Sequence, residues 1–70
     1  MAKVVRVIEL LSQSSKSWED AAQDAINEAS KTLQNIRSIY IKELTAEVER
    51  GKISNYRINA NVTFDLERGD

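Results

Sequence analysis

Seventy residues make one domain near the lower limit of independent folding, and a chain of that size buries only roughly 60% of its unfolded surface. There is no cysteine and no histidine, which excludes disulfides and Cys/His zinc sites and leaves association with identical copies as the source of extra burial. Ten basic side chains against eleven acidic ones, a net charge of −1 and a pI of about 5.4 leave no basic footprint for nucleic acid. No apolar run approaches membrane-spanning length and no signal peptide precedes the first apolar segment, so a cytoplasmic protein without a membrane partner is expected.

Residues from about Lys3 to Leu11 read as a strand. Val4, Val5, Val7, Ile8, Leu10 and Leu11 supply aliphatic and β-branched density, interrupted by Arg6 and Glu9. The apolar residues fall on both alternating faces, which predicts cover on both sides. Ser12 to Lys16 reads as a polar connection. From Ser17 to Asn35 the spacing changes to three and four. Trp18, Ala21, Ala22, Ala25, Ile26, Ala29 and Leu33, with Ile36 just beyond, form one apolar stripe of a long helix. Ser17 is the expected N-cap, accepting from the Asp20 amide, with Asp20 at the reciprocal capping position. Glu19 and Asp20 place negative charge in the first turn, where the helix dipole favours it.

The polar face of the helix carries Asp20, Asp24 and Glu28 at four-residue steps. Such a row is either a solvated acidic face or a recruiter of a hard, oxygen-preferring cation such as calcium. From Ile36 to about Glu49 the pattern alternates without a clean apolar face, which predicts a strand with a bulge and some surface turned to another subunit. Arg50-Gly51-Lys52 is a turn in which Gly51 takes a positive φ. From Ile53 to about Glu67 the alternation is clean: Tyr56, Ile58, Ala60, Val62, Phe64 and Leu66 belong on the helix stripe. The opposite face holds Arg57, Asn59, Asn61, Thr63 and Asp65. The asparagines, depleted in strands, line a cavity, bond across an interface or stand in water. Arg68-Gly69-Asp70 reads as a frayed tail.

The order strand, helix, strand, strand makes an α+β fold with one helix on a three-stranded sheet. Its unpaired edges and leftover apolar surface predict a homo-oligomer. Laid out this way, the chain resembles the dodecins. The resemblance rests on Lys3-Val4 through Glu9-Leu10, Ser17-Trp18-Glu19-Asp20-Ala21-Ala22, Lys31-Thr32-Leu33, and Asn55-Tyr56 through Val62-Thr63-Phe64. It implies a β-α-β-β domain spanning residues 1–70, a three-stranded antiparallel sheet wrapped on one long helix, and assembly into a hollow homododecamer.

Many dodecins bind riboflavin, FMN or FAD by stacking flavin pairs on aromatic side chains of neighbouring subunits. The resemblance places the family's flavin pocket at Arg37, Ser38, Thr45 and Arg57. All four depart from the flavin-binding pattern. Ser38 stands where the stacking tryptophan is expected and has no π face, Arg57 stands where a glutamine bonds the ring edge, and Arg37 and Thr45 replace an acid and an arginine. Trp18 lies on the helix stripe and is no substitute. Weak or lost flavin binding follows. Arg37 and Arg57 either hold an anion or pair with Glu43, Glu47 or Asp65.

The Ser17-Trp18-Glu19 start and the missing tryptophan resemble the calcium dodecins, for which Asp20, Asp24, Glu28, Asp65 and Glu67 are the candidate ligands by oxygen chemistry. A shell that binds or stores a small ligand is the first functional expectation. An ion-binding dodecin, or a structural, partner-binding oligomer without a small-molecule ligand, is the alternative. With no His or Cys, no glycine-rich phosphate loop and no nucleophile elbow, catalysis is not expected.

Overall fold

Ser17 sits in extended backbone, its hydroxyl accepts the Asp20 amide at 2.9 Å, and the chain turns into a helix at the next residue. The computed structural model describes residues 4–66. Within them β1 runs Val5–Ser14, α1 Trp18–Ala29, β2 Ile36–Glu49 and β3 Lys52–Asp65. The three strands form one antiparallel sheet in the order β1-β3-β2, so the last strand in sequence is the central one.

The apolar stripe of α1 lies on one face of the sheet. Ala21, Ala25 and Ala29 are buried, and Ala21 packs with Ile58 and Ala60, the two alanines fully enclosed. Ala21 and Ala60 each bring a single methyl group to that contact, and Ile58 supplies the remaining bulk. Val62 is the largest side chain buried completely, and Phe64 extends the core toward the end of β3. Trp18, Ala22, Ile39 and Ile41 close its margins. Trp18 meets Tyr56 edge to face at 4.9 Å, and its indole N–H donates to the Thr45 carbonyl at 2.9 Å. The tryptophan belongs to the packing of the helix, as its place on the stripe predicts.

The helix is shorter than its periodicity predicts. Its stripe continues to Leu33, but the last turns tighten after Ala29: Lys31 donates to the Glu28 carbonyl, and Thr32 and Leu33 both donate to the Ala29 carbonyl. Asn35 then takes a φ of 61°, a left-handed conformation that asparagine tolerates better than most residues, and turns the chain into β2. β1, in contrast, runs past its predicted end. Ser12 and Ser14 stay in the ladder opposite Ile58 and Tyr56 because the helix satisfies their hydroxyls. Ser12 donates to the Ala21 carbonyl at 2.8 Å and Ser14 to the Asp20 carboxylate at 2.6 Å. That carboxylate, at the reciprocal capping position, is therefore engaged by the strand.

The bulge expected in β2 is present, and there are two: the register skips Arg37 and Lys42, and a third irregularity falls at Ser54 of β3. The β2–β3 connection is a two-residue turn in which Arg50 (φ 54°) and Gly51 (φ 79°) are both left-handed, the geometry that matches strand twist. Clean alternation in β3 holds: Ile58, Ala60, Val62 and Phe64 are buried on the helix side. The cover predicted on both faces of β1 is not supplied by this chain. Val5, Val7 and Leu11 point away from the helix, and Leu11 is 79% exposed. Glu67 and the Arg68-Gly69-Asp70 tail lie outside the described residues.

Candidate functional site

The sheet face without the helix carries the site positions. β3 runs down its middle, so outward residues of β1 and β2 meet over the side chains of β3. Leu11 and Glu43 flank Asn59, and Gln13 and Thr45 flank Arg57. These residues line a groove of about 480 Å³. Thr45 and Arg57 are thus brought together, as direct register partners. Ser38 lies on the same face, opposite Thr63, and the Tyr40–Asn61–Glu9 row separates it from the groove. Arg37 occupies the first bulge of β2, and its guanidinium meets Asp65 at 3.4 Å.

Both arginines are engaged by carboxylates. Arg57 reaches Glu47 at 3.4 Å, and Glu47 also accepts from Asn55 at 3.2 Å. Of the pairings expected from sequence, Glu47 and Asp65 are used, while Glu43 instead lines the groove. Asn59 takes the cavity-lining role: its Oδ1 is buried and has no hydrogen-bond partner among the described residues.

Sequence reasoning missed the ion pair beside the groove. Lys42, pushed out by the second bulge, reaches across β3 to Glu9 at 3.1 Å. Its hydrogen bond and its charge, with a hydrogen bond from Asn59, hold the Glu9 carboxyl below the usual carboxylate range. The only signal for it in the sequence is the irregular β2 pattern, which marks a bulge without locating it.

The helix carboxylates do not gather into a metal site. Asp20 is tied to Ser14, and Glu28 pairs with Lys31 at 3.3 Å. Among the described residues no group of three or more carboxylates could hold a metal ion, so Asp20, Asp24, Glu28 and Asp65 do not form one within a single chain. No helix is long and apolar enough to cross a membrane, again among the described residues.

Comparison with known proteins gives a consistent result. The dodecin family model matches residues 4–67. The calcium dodecin of Mycobacterium tuberculosis is 32% identical over 63 residues, covering 90% of this chain and 89% of the relative. Among solved structures, a point-mutant Thermus thermophilus dodecin superposes with a TM-score of 0.90 at 30% identity, covering 96% of this chain and 100% of that one. A calcium-chelating M. tuberculosis calcium dodecin, described with a novel calcium-binding site, matches with a TM-score of 0.78 at 34% identity, covering 96% of each chain.

Proposed function

The chain belongs to the dodecin family, and from that premise we propose that it is a self-assembling, cytoplasmic shell protein that holds a small ligand on the outer sheet face, with flavin binding weak or lost. The observation that carries this reading is the state of the pocket positions. Ser38 offers no ring to stack on, and Arg57 beside Thr45 is occupied by Glu47. Aromatic stacking contributes roughly 0.5–1.5 kcal/mol beyond area burial. Losing it together with the ring-edge partner lowers affinity by at least about tenfold. Catalysis is no part of this reading.

Titrating riboflavin or FMN into the purified protein tests it. The expected result is a colourless preparation that leaves flavin fluorescence unquenched at micromolar concentration, and a Ser38→Trp/Arg57→Gln variant that quenches it. Wild-type protein that is yellow with stoichiometric flavin overturns the reading.

A second reading is a calcium-binding shell, favoured by the likeness to the M. tuberculosis calcium dodecin. Asp20, Asp24, Glu28, Asp65 and Glu67 remain its candidate ligands. Since the described ones do not converge within a chain, calcium on this reading takes oxygen atoms from more than one copy. Calorimetric titration of chelator-treated protein with calcium separates the two readings.

A further inference from the structure

Hydrogen-bonding capacity around the sheet groove is spent unevenly. The cationic side chains there already have acceptors: Arg57 is held by Glu47 and Lys42 by Glu9. Asn55 divides its amide N–H groups between Gln13 and Glu47. Two acceptors are left over. Glu43 lines the groove, is exposed, and has no hydrogen bond or ion pair among the described residues. Asn59 supplies the second. Its amide nitrogen is turned to Glu9, since an ionised carboxylate only accepts. That leaves Oδ1 buried and without a donor among the described residues.

The two acceptors are neighbours. Leu11, Asn59 and Glu43 are direct register partners and form one row across the three strands. Side chains opposite each other on paired strands have Cβ atoms roughly 4.5–5.5 Å apart, so one nitrogen with several N–H groups spans Glu43 and Asn59. At the other end of the row Leu11, 79% exposed, offers an alkyl surface. The row therefore presents a carboxylate, an amide oxygen and an isobutyl group in that order. Oδ1 lies below the surface, but the side chains on either side of it, Leu11 and Glu43, are both exposed. An occupant reaches it by moving surface groups, with the core left in place.

We propose that the groove binds a small organic ammonium ion, a primary alkylamine in its charged form, with the head between Glu43 and Asn59 and the chain laid on Leu11. A primary ammonium has three donors and no acceptor, which matches the two unmet acceptors. Its charge meets the one carboxylate of the groove that is not already paired. An anion meets the reverse situation: it must take Arg57 from Glu47, and Glu43 repels it. The groove, about 480 Å³, has the size of a small-molecule cleft. The proposal rests on the small-ligand reading above and names the class of ligand.

Calorimetric titration of the wild-type protein with butylammonium, in an amine-free phosphate buffer containing a chelator, tests it. Saturable binding of one butylammonium per chain is expected. Tetramethylammonium keeps the charge but has no N–H, and butanol keeps the chain but has no charge. Each is expected to bind at least about tenfold more weakly. Glu43→Gln is expected to lower butylammonium affinity by about tenfold or more. Glu49→Gln removes the same charge at the hairpin end, outside the groove, and is expected to leave the affinity unchanged. The wild-type ligand series decides the matter alone if Glu43→Gln fails to fold. Equal affinity for butanol or tetramethylammonium, binding of butyrate in place of butylammonium, or full affinity in a folded Glu43→Gln variant overturns the proposal. A colourless wild type that binds none of these probes also overturns it and leaves the weak-flavin reading standing. Stoichiometric flavin in the wild type overturns both.

Discussion

Glu9 is an exposed carboxylate held by Lys42 from across the sheet, and among the described residues it is the one side chain whose ionisation the fold visibly biases. Its pKa is lowered on folding, so the stabilisation it contributes is present above its ordinary value of 4.5 and fades as the pH falls through its folded-state pKa, below 4.5. A Glu9→Gln variant is therefore expected to melt slightly below wild type at neutral pH, with the gap closing in acid. Thermal unfolding followed by circular dichroism across that range checks it, and a gap that widens in acid contradicts the assignment. The effect is small because the pair is solvent-exposed. The same scale explains what was legible in the site. Residue types at Ser38 and Arg57 reveal that a stacking partner and a ring-edge partner are missing. They offer Glu47 as one of three acidic partners for the arginines without assigning it to Arg57, and they do not reveal that Lys42 reaches Glu9, because that depends on which residue the second bulge pushes out of register.

At the scale of elements, the contact between α1 and β3 decides the packing. Ala21 and Ala60 have no exposed surface, so the helix has no room to give way locally. Ala21→Leu is expected to cost about 1–3 kcal/mol through overpacking, measured by chemical denaturation. The same replacement at exposed Gln23 is expected to stay within about 0.5 kcal/mol. Element order, helix start and the buried face of β3 were readable because each has a local cause: a capping serine, a 3.6-residue stripe, a strict alternation. The helix end was not. The apolar stripe runs on to Leu33, and nothing in its composition announces that Asn35 turns left-handed. The end of β1 was hidden for a different reason. Ser12 and Ser14 look like loop residues until the helix carbonyl and carboxylate that accept their hydroxyls are in place.

At the scale of the molecule, the chain measures 55 × 20 × 13 Å, a long shape for its length, with Val5, Val7, Leu11, Tyr40 and Val48 all turned outward. A chain with so much apolar surface in water is expected to assemble and to melt at a temperature that rises with protein concentration. Light scattering should give a mass many times 7.9 kDa, and a stable, well-folded single chain on dilution contradicts the prediction. The strand order β1-β3-β2 carries one more consequence. The middle of the sheet is the segment that leaves the ribosome after the other three elements. Until it arrives, the first strand and the helix have only each other to close on, and the second long strand has no mate. Folding therefore waits for synthesis of the final strand, and a ribosome that stalls before it releases two bare ribbon edges and a wet helix, a natural substrate for chaperones and proteases.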